Sequence, residues 1–134
     1  MTLEHAAIWT DNLEALKDFY VRYLDGQSNK KHVNEKKQYE SYFISFGSGA
    51  RLELMTRPNI SDNQNDTILL QHKGIIHLAF EAVTRQEVDE KAKLFSANGF
   101  QILDGPRTTG DGYYEFVTLD PDHNRIEITT RDRT

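Results

Sequence analysis

Two stretches of the chain repeat apolar residues at helical spacing, and most of the remainder alternates apolar with polar. In "DNLEALKDFYVRYLDG", Leu13, Leu16, Phe19, Tyr20 and Tyr23 fall on one face of a helix. Asp11 and Glu14 give it a capping-box start and Gly26 a stop. In "TRQEVDEKAKLFSANG", Val88, Ala92 and Phe95 form the face, Thr84 and Glu87 the start, and Gly99 the stop. Strands are predicted over residues 3–9, around 29–33, and over 41–46, 51–56, 74–81, 101–104, 113–119 and 125–130. The stretch "GIIHLAFE" reads as a buried strand with a histidine at its centre.

The punctuation repeats. Thr84, Glu87 and Gly99 each stand 73 positions after Asp11, Glu14 and Gly26. Each helix follows one strand and precedes three, so the order is βαβββ twice. That predicts one α+β domain of two like modules, forming a curved, cupped mixed sheet with the helices on its outer face. Module one covers about residues 1–57 and module two about 74–134, with the polar, turn-rich segment 58–73 as linker.

Strand parity sorts the side chains into faces. His5 shares a face with Leu3, Ala7 and Trp9, and His77 with Ile75 and Ala79. Glu53 lies opposite Leu52 and Leu54, and Glu127 opposite Ile126 and Ile128. If the apolar faces of the last strands pack on the helices, the other face carries His, Glu, His, Glu. His77 stands 72 positions after His5, and Glu127 stands 74 after Glu53, so the first and last strands of each module supply the same residue types. Alone, a histidine within an apolar strand reads as a core residue satisfied by a local hydrogen bond. Four such groups on one cavity face need compensation, and two imidazoles with two carboxylates make a mixed N/O site for a divalent first-row metal. His32, His72 and His123 do not share the repeat position and read as surface residues. The Gly-rich loop "GPRTTGDGYY" lacks phosphate-loop spacing and is a candidate cover over the cavity or an ordinary hairpin connection. It brings Arg107 and Tyr113 in as candidate substrate contacts.

Composition narrows the class. At 134 residues, 37% hydrophobic and 28% charged, the chain suits one globular domain. No apolar run approaches the roughly 18 residues of a membrane span. The acids near the N-terminus do not suit a secretory signal. There is no cysteine, which removes disulfides, thiolate metal sites and thiol nucleophiles and predicts a cytoplasmic protein. The net charge of −5 argues against a nucleic-acid partner, and "KKHVNEKK" reads as a solvated hairpin.

The chain resembles the vicinal oxygen chelate superfamily, and within it the glyoxalase I (lactoylglutathione lyase) group. The resemblance covers nearly the whole chain and rests on the paired modules, on "GIIHLAF", and on "DPDHNRIEI", similar to the family's DPDGN-x-IE(L/I) ending. His123 stands where the family usually has glycine, a turn position open to left-handed backbone. The resemblance implies a fold of the glyoxalase/bleomycin resistance/dioxygenase kind. It also implies one divalent ion per site (Ni2+, Co2+ or Zn2+) on His5, Glu53, His77 and Glu127, a small-molecule substrate and a homodimer. In glyoxalase I the substrate is the hemithioacetal of methylglyoxal and a thiol, isomerised through an ene-diolate. Glu127 is then the expected base, and Glu53 a ligand able to act on the other face. Glutathione-using members generally have arginine where this chain has Trp9 and asparagine where it has Arg57. This predicts weak or absent use of the glutathione adduct unless Arg57 supplies the clamp from another strand; Trp9 is a pocket wall or core. Related epimerases, dioxygenases and antibiotic-modifying enzymes share the site, and a binding module without turnover is the alternative from another class.

Overall fold

Helix α1 (Leu13–Tyr23) buries the face expected of it: Leu13, Leu16, Phe19, Tyr20 and Tyr23. They pack on Ile44, Leu52 and Leu54, which are buried on the sheet beneath. Helix α2 (Arg85–Ala97) does the same with Val88, Ala92 and Phe95 over Phe116, Ile126 and Ile128. The computed structural model describes residues 1–62 and 68–131. Positions 63–67 of the expected linker and 132–134 lie outside the described residues. The chain divides into two units, Met1–Asp62 and Asn63–Thr134.

The first unit runs β1 (His5–Trp9), α1, β2 (Gln27–Ser28), β3 (His32–Asn34), β4 (Tyr39–Ser45) and β5 (Arg51–Thr56). Its sheet has the order β1-β5-β4-β2, with β3 also paired to β4. The second unit runs β6 (Leu78–Glu81), α2, β7 (Ile102–Thr108), β8 (Tyr114–Leu119) and β9 (Arg125–Thr130), in the order β6-β9-β8-β7. In each sheet the first and last strands are parallel neighbours and the rest are antiparallel. A helical crossover makes that parallel pairing possible. The result is two mixed sheets, each with one helix on one face. Each helix is also tied to its sheet by a tyrosine. Tyr42 donates to the Glu14 carboxylate at 3.0 Å, and Tyr114 to Asp89 at 2.6 Å.

Several boundaries differ from the sequence reading. Strand β6 begins at Leu78, so His77 stands one residue before it. Ile75 and Ile76 are 84% and 50% exposed, not buried. The ladder partner decides this: pairing starts at Leu78 with Ile126, and β9 itself begins only at Arg125. Likewise β1 starts at His5 and leaves Leu3 exposed. Asn12, not Asp11, caps α1, accepting from the Ala15 N–H at 3.3 Å. At α2 the expected box forms with a shift. Thr84 accepts from Glu87 N–H at 3.1 Å, while Glu87 reaches back to the Val83 N–H at 2.7 Å. After α1 the left-handed residue is Asp25 (φ 58°). Gly26 is needed because a Cβ there would overlap the Ile44 side chain.

The β8–β9 turn fixes the register of β9. Asp120 is buried there. One of its carboxylate oxygens accepts from the Asp122 and Asn124 N–H groups, and the other from the Asn124 side-chain amide, all at 2.9 Å. His123 adopts φ 64° in the same turn. Asp120→Ala leaves these donors without their acceptor, so it should lower the unfolding free energy by roughly 2–3 kcal/mol. Urea denaturation measures this, and a loss below about 0.5 kcal/mol, as for an ordinary surface change, would contradict it.

Candidate metal centre

Each unit places one histidine beside one glutamate by the same construction. In the β1–β5 ladder Ala7 pairs with Glu53, and in the β6–β9 ladder Ala79 pairs with Glu127. His5 stands two residues before that alanine within β1, on the same side of the backbone. His77 stands two residues before Ala79, one residue ahead of β6. The glutamates are set between buried neighbours, Leu52 and Leu54 or Ile126 and Ile128, whose side chains turn toward the helix. The carboxylates are therefore aimed at the face away from it. His5 Nε2 lies 3.7 Å from Glu53 Oε1, and His77 Nε2 lies 3.2 Å from Glu127 Oε1. Among the described residues no three or more His, Cys, Asp or Glu side chains gather where they could hold a metal ion; each unit holds one histidine–glutamate pair.

The first pair has neighbours that the alternation pattern did not flag. Glu4 accepts from His5 Nδ1 at 2.8 Å and forms an ion pair with Arg51. The Arg51 guanidinium lies 4.1 Å over the Phe43 ring, and Phe43 meets His5 edge-on with centroids 5.2 Å apart. The Arg51 hydrogen bond, with that of His5, holds the Glu4 carboxyl below its ordinary range. Sequence reasoning missed Glu4 because it lies outside the strand, where parity assigns no face.

The second pair has a different setting. Burial pushes the Glu127 carboxyl above its ordinary value of 4.5. The nearby charge of His77 works against that shift, Glu115 adds to it, and Arg107 and Arg125 oppose it. Glu115 is a further residue the sequence reading passed over; its place beside Thr129 in the β8–β9 ladder, two residues from Val117 opposite Glu127, was the available signal. Arg107 is already engaged, with Nε and Nη2 at 2.8 and 2.7 Å from Asp104.

Of the other candidates, Trp9 is 42% exposed and is no part of the core. The Arg57 guanidinium lies 5.2 Å over its ring. Tyr113 accepts from Arg131 Nε at 2.8 Å, and with Asp111, Gly112 and Arg131 it lines an open cleft of about 350 Å³. His32, His72 and His123 are exposed.

The pairs fit a divalent ion. Imidazole and carboxylate bind such ions at about 2.0–2.2 Å, which puts adjacent donors about 2.8–3.6 Å apart in octahedral or tetrahedral geometry. The 3.2 Å separation falls inside that range and the 3.7 Å separation just beyond it. An imidazole nitrogen beside a carboxylate, as in each unit, also matches the donor preference of a borderline first-row cation.

Two units, βαββββ where three strands were expected after the helix and then βαβββ, each with a histidine–glutamate couple, define a class of small α+β folds. The model of the Glyoxalase/Bleomycin resistance protein/Dioxygenase superfamily matches residues 2–128, and the chain belongs to that family. Members commonly use a divalent metal, bind small molecules and often form dimers. The fold is similar to a trypanothione-dependent glyoxalase I from Leishmania major, with TM-score 0.77 and 20% identity over 98% of this chain and 87% of that one. It is also similar to a family domain from Frankia sp. (TM-score 0.79, 13% identity, 97% of each chain). A glyoxalase family protein from Enterococcus faecalis gives TM-score 0.73 and 23% identity over 95% of each. By sequence, the uncharacterized protein YqjT of Bacillus subtilis (strain 168) is 34% identical over 58 residues, a match spanning 41% of this chain and 45% of that protein. No described helix is long and apolar enough to cross a membrane.

The Glu127 setting predicts a pH dependence in metal-free protein. A carboxyl raised in the folded state favours folding in its protonated form. That contribution is fully present below the ordinary value of 4.5 and is lost as pH rises through the raised value. Glu127→Gln removes it. Chemical denaturation of chelator-treated protein from about pH 4 to about pH 7 should show wild type losing stability relative to the variant as pH rises. Parallel stability profiles would contradict the assignment.

Proposed function

We propose that the protein is a metal-dependent lyase/isomerase of the glyoxalase I kind. Its substrate would be a hemithioacetal of methylglyoxal and a thiol. The supporting observation is the same His–Glu couple, built by the same ladder register, in each unit. His5, Glu53, His77 and Glu127 would together hold one divalent ion, Ni2+, Co2+ or Zn2+, at a site in a cytoplasmic homodimer. When bound, the ion supplies positive charge that polarises the substrate carbonyl and stabilises the ene-diolate.

The remaining chemistry belongs to side chains. Glu127 takes the proton from the thiol-bearing carbon and returns it to the adjacent carbon, converting the hemithioacetal to a hydroxyacyl thioester with no net change in atoms. A carboxyl raised by burial is closer in pKa to neutral solution, which suits a group that must both accept and release a proton. Glu53 acts as ligand. Trp9 gives a flat wall for the thiol portion, and Arg57, held over it, attracts an anionic group there. Tyr113 and Arg107 are the contacts from the β7–β8 hairpin, and Arg107 must release Asp104 to serve.

Metal analysis with an assay on methylglyoxal and several thiols tests this reading. His5→Ala and His77→Ala should each lose metal. Glu127→Gln should keep metal and lose roughly 10²–10⁴-fold in turnover, the worth of a positioned base, with Glu53→Gln milder. Unchanged metal content in both histidine variants would overturn the site. A fully metallated protein that turns over no thiol adduct would move the reading to an epimerase, a dioxygenase, an antibiotic-modifying enzyme or a binding module. Mixing refolded Glu53→Gln and Glu127→Gln chains tests the dimer: recovered activity means that one chain's His5 and Glu53 serve with another's His77 and Glu127.

A further inference from the structure

The first histidine is held by a closed circuit of side chains. His5 Nδ1 stands 2.8 Å from Glu4 Oε2. The other Glu4 oxygen takes the Arg51 guanidinium, and the Glu4 carbonyl accepts from the Arg51 backbone N–H at 2.8 Å. Arg51 lies over the Phe43 ring, and the edge contact between Phe43 and His5 closes the circuit. Phe43 in turn pairs with Glu53 in the β4–β5 ladder, so the circuit is anchored on the strand that carries the other half of the pair.

A carboxylate can only accept a hydrogen bond, so a neutral His5 in this arrangement carries its proton on Nδ1. Its Nε2 is then left with a bare lone pair, and Nε2 is the atom that faces Glu53. We propose that Glu4 is a positioning residue that fixes the His5 tautomer and ring orientation, making Nε2 the donor atom. Metal-binding histidines generally have such an outer partner, which orients the ring and raises its basicity. Module two lacks the device at the corresponding place. Ile76 precedes His77, and its side chain has no acceptor. The two histidines are therefore not equivalent, and His77 serves as an internal control.

The importance of the tautomer rests on the proposed metal reading, but the tautomer itself can be measured without metal. Long-range proton–nitrogen NMR on 15N-histidine-labelled, metal-free protein in alkaline buffer reports which ring nitrogen is protonated, with His5 assigned by His5→Gln. Wild type should show His5 protonated on Nδ1. Glu4→Ala, a change at an exposed residue, should shift His5 toward the Nε2-protonated form and leave the His77 signals in place. Glu4→Gln, whose amide oxygen still accepts, should hold an intermediate position. Zinc affinity should fall about 10–100-fold in Glu4→Ala and be partly restored in Glu4→Gln. A wild-type His5 protonated on Nε2, or a tautomer unchanged by Glu4→Ala, overturns the proposal. A wild-type chain that binds no zinc overturns the metal reading instead, and the tautomer result still decides the role of Glu4.

Discussion

The parallel ladder between the first and last strand of each module is the constraint on which the rest depends. Side chains alternate strictly along a strand, so slipping β5 or β9 by one residue would turn its glutamate toward the helix and a leucine or isoleucine toward the open face. The buried Leu52–Leu54 and Ile126–Ile128 pairs resist that slip, because each position exchanged would expose apolar surface and bury a charge. The hydrophobic core and the histidine–glutamate couples are thus two faces of one register. Helix packing holds Leu52 and Ile126 down, and in doing so it aims Glu53 and Glu127 the other way.

Built alike, the two couples have come to differ in their surroundings. Around Glu53 stand Phe43 and the Glu4–Arg51 brace, which orient His5 through hydrogen bonding and ring contact. Around Glu127 stand a second carboxylate, Glu115, and two arginines, and burial outweighs the favourable charges. The first couple is braced by groups outside the pair. In the second, burial holds the Glu127 carboxyl above its ordinary range.

Much of this was legible in the sequence because the signals are local. The faces of α1 and α2 follow from residues three and four apart, and β5 and β9 follow from strict alternation. The repeat offset pointed to the matching His and Glu positions. What the sequence did not display depends on partners. A strand ends where its neighbour ends, so the apolar run from Gly74 to His77 lies outside the ladder although its composition favours a strand. The cap fell on Asn12 because the first helical turn starts at Leu13, a choice that two adjacent capping residues leave open. Glu4 gains its role from Arg51, far along the chain but adjacent in the sheet. Trp9 was ambiguous between wall and core because apolar character alone does not tell an edge strand's open face from its packed one.

We propose that both couples serve one ion, and the crystal structure of nickel-loaded protein, with data collected at the metal absorption edge, decides it. One anomalous peak per site is expected, bound by the Nε2 atoms of His5 and His77 and the carboxylates of Glu53 and Glu127, whether those come from one chain or two. An ion held by only one couple, or by residues outside both, would contradict it.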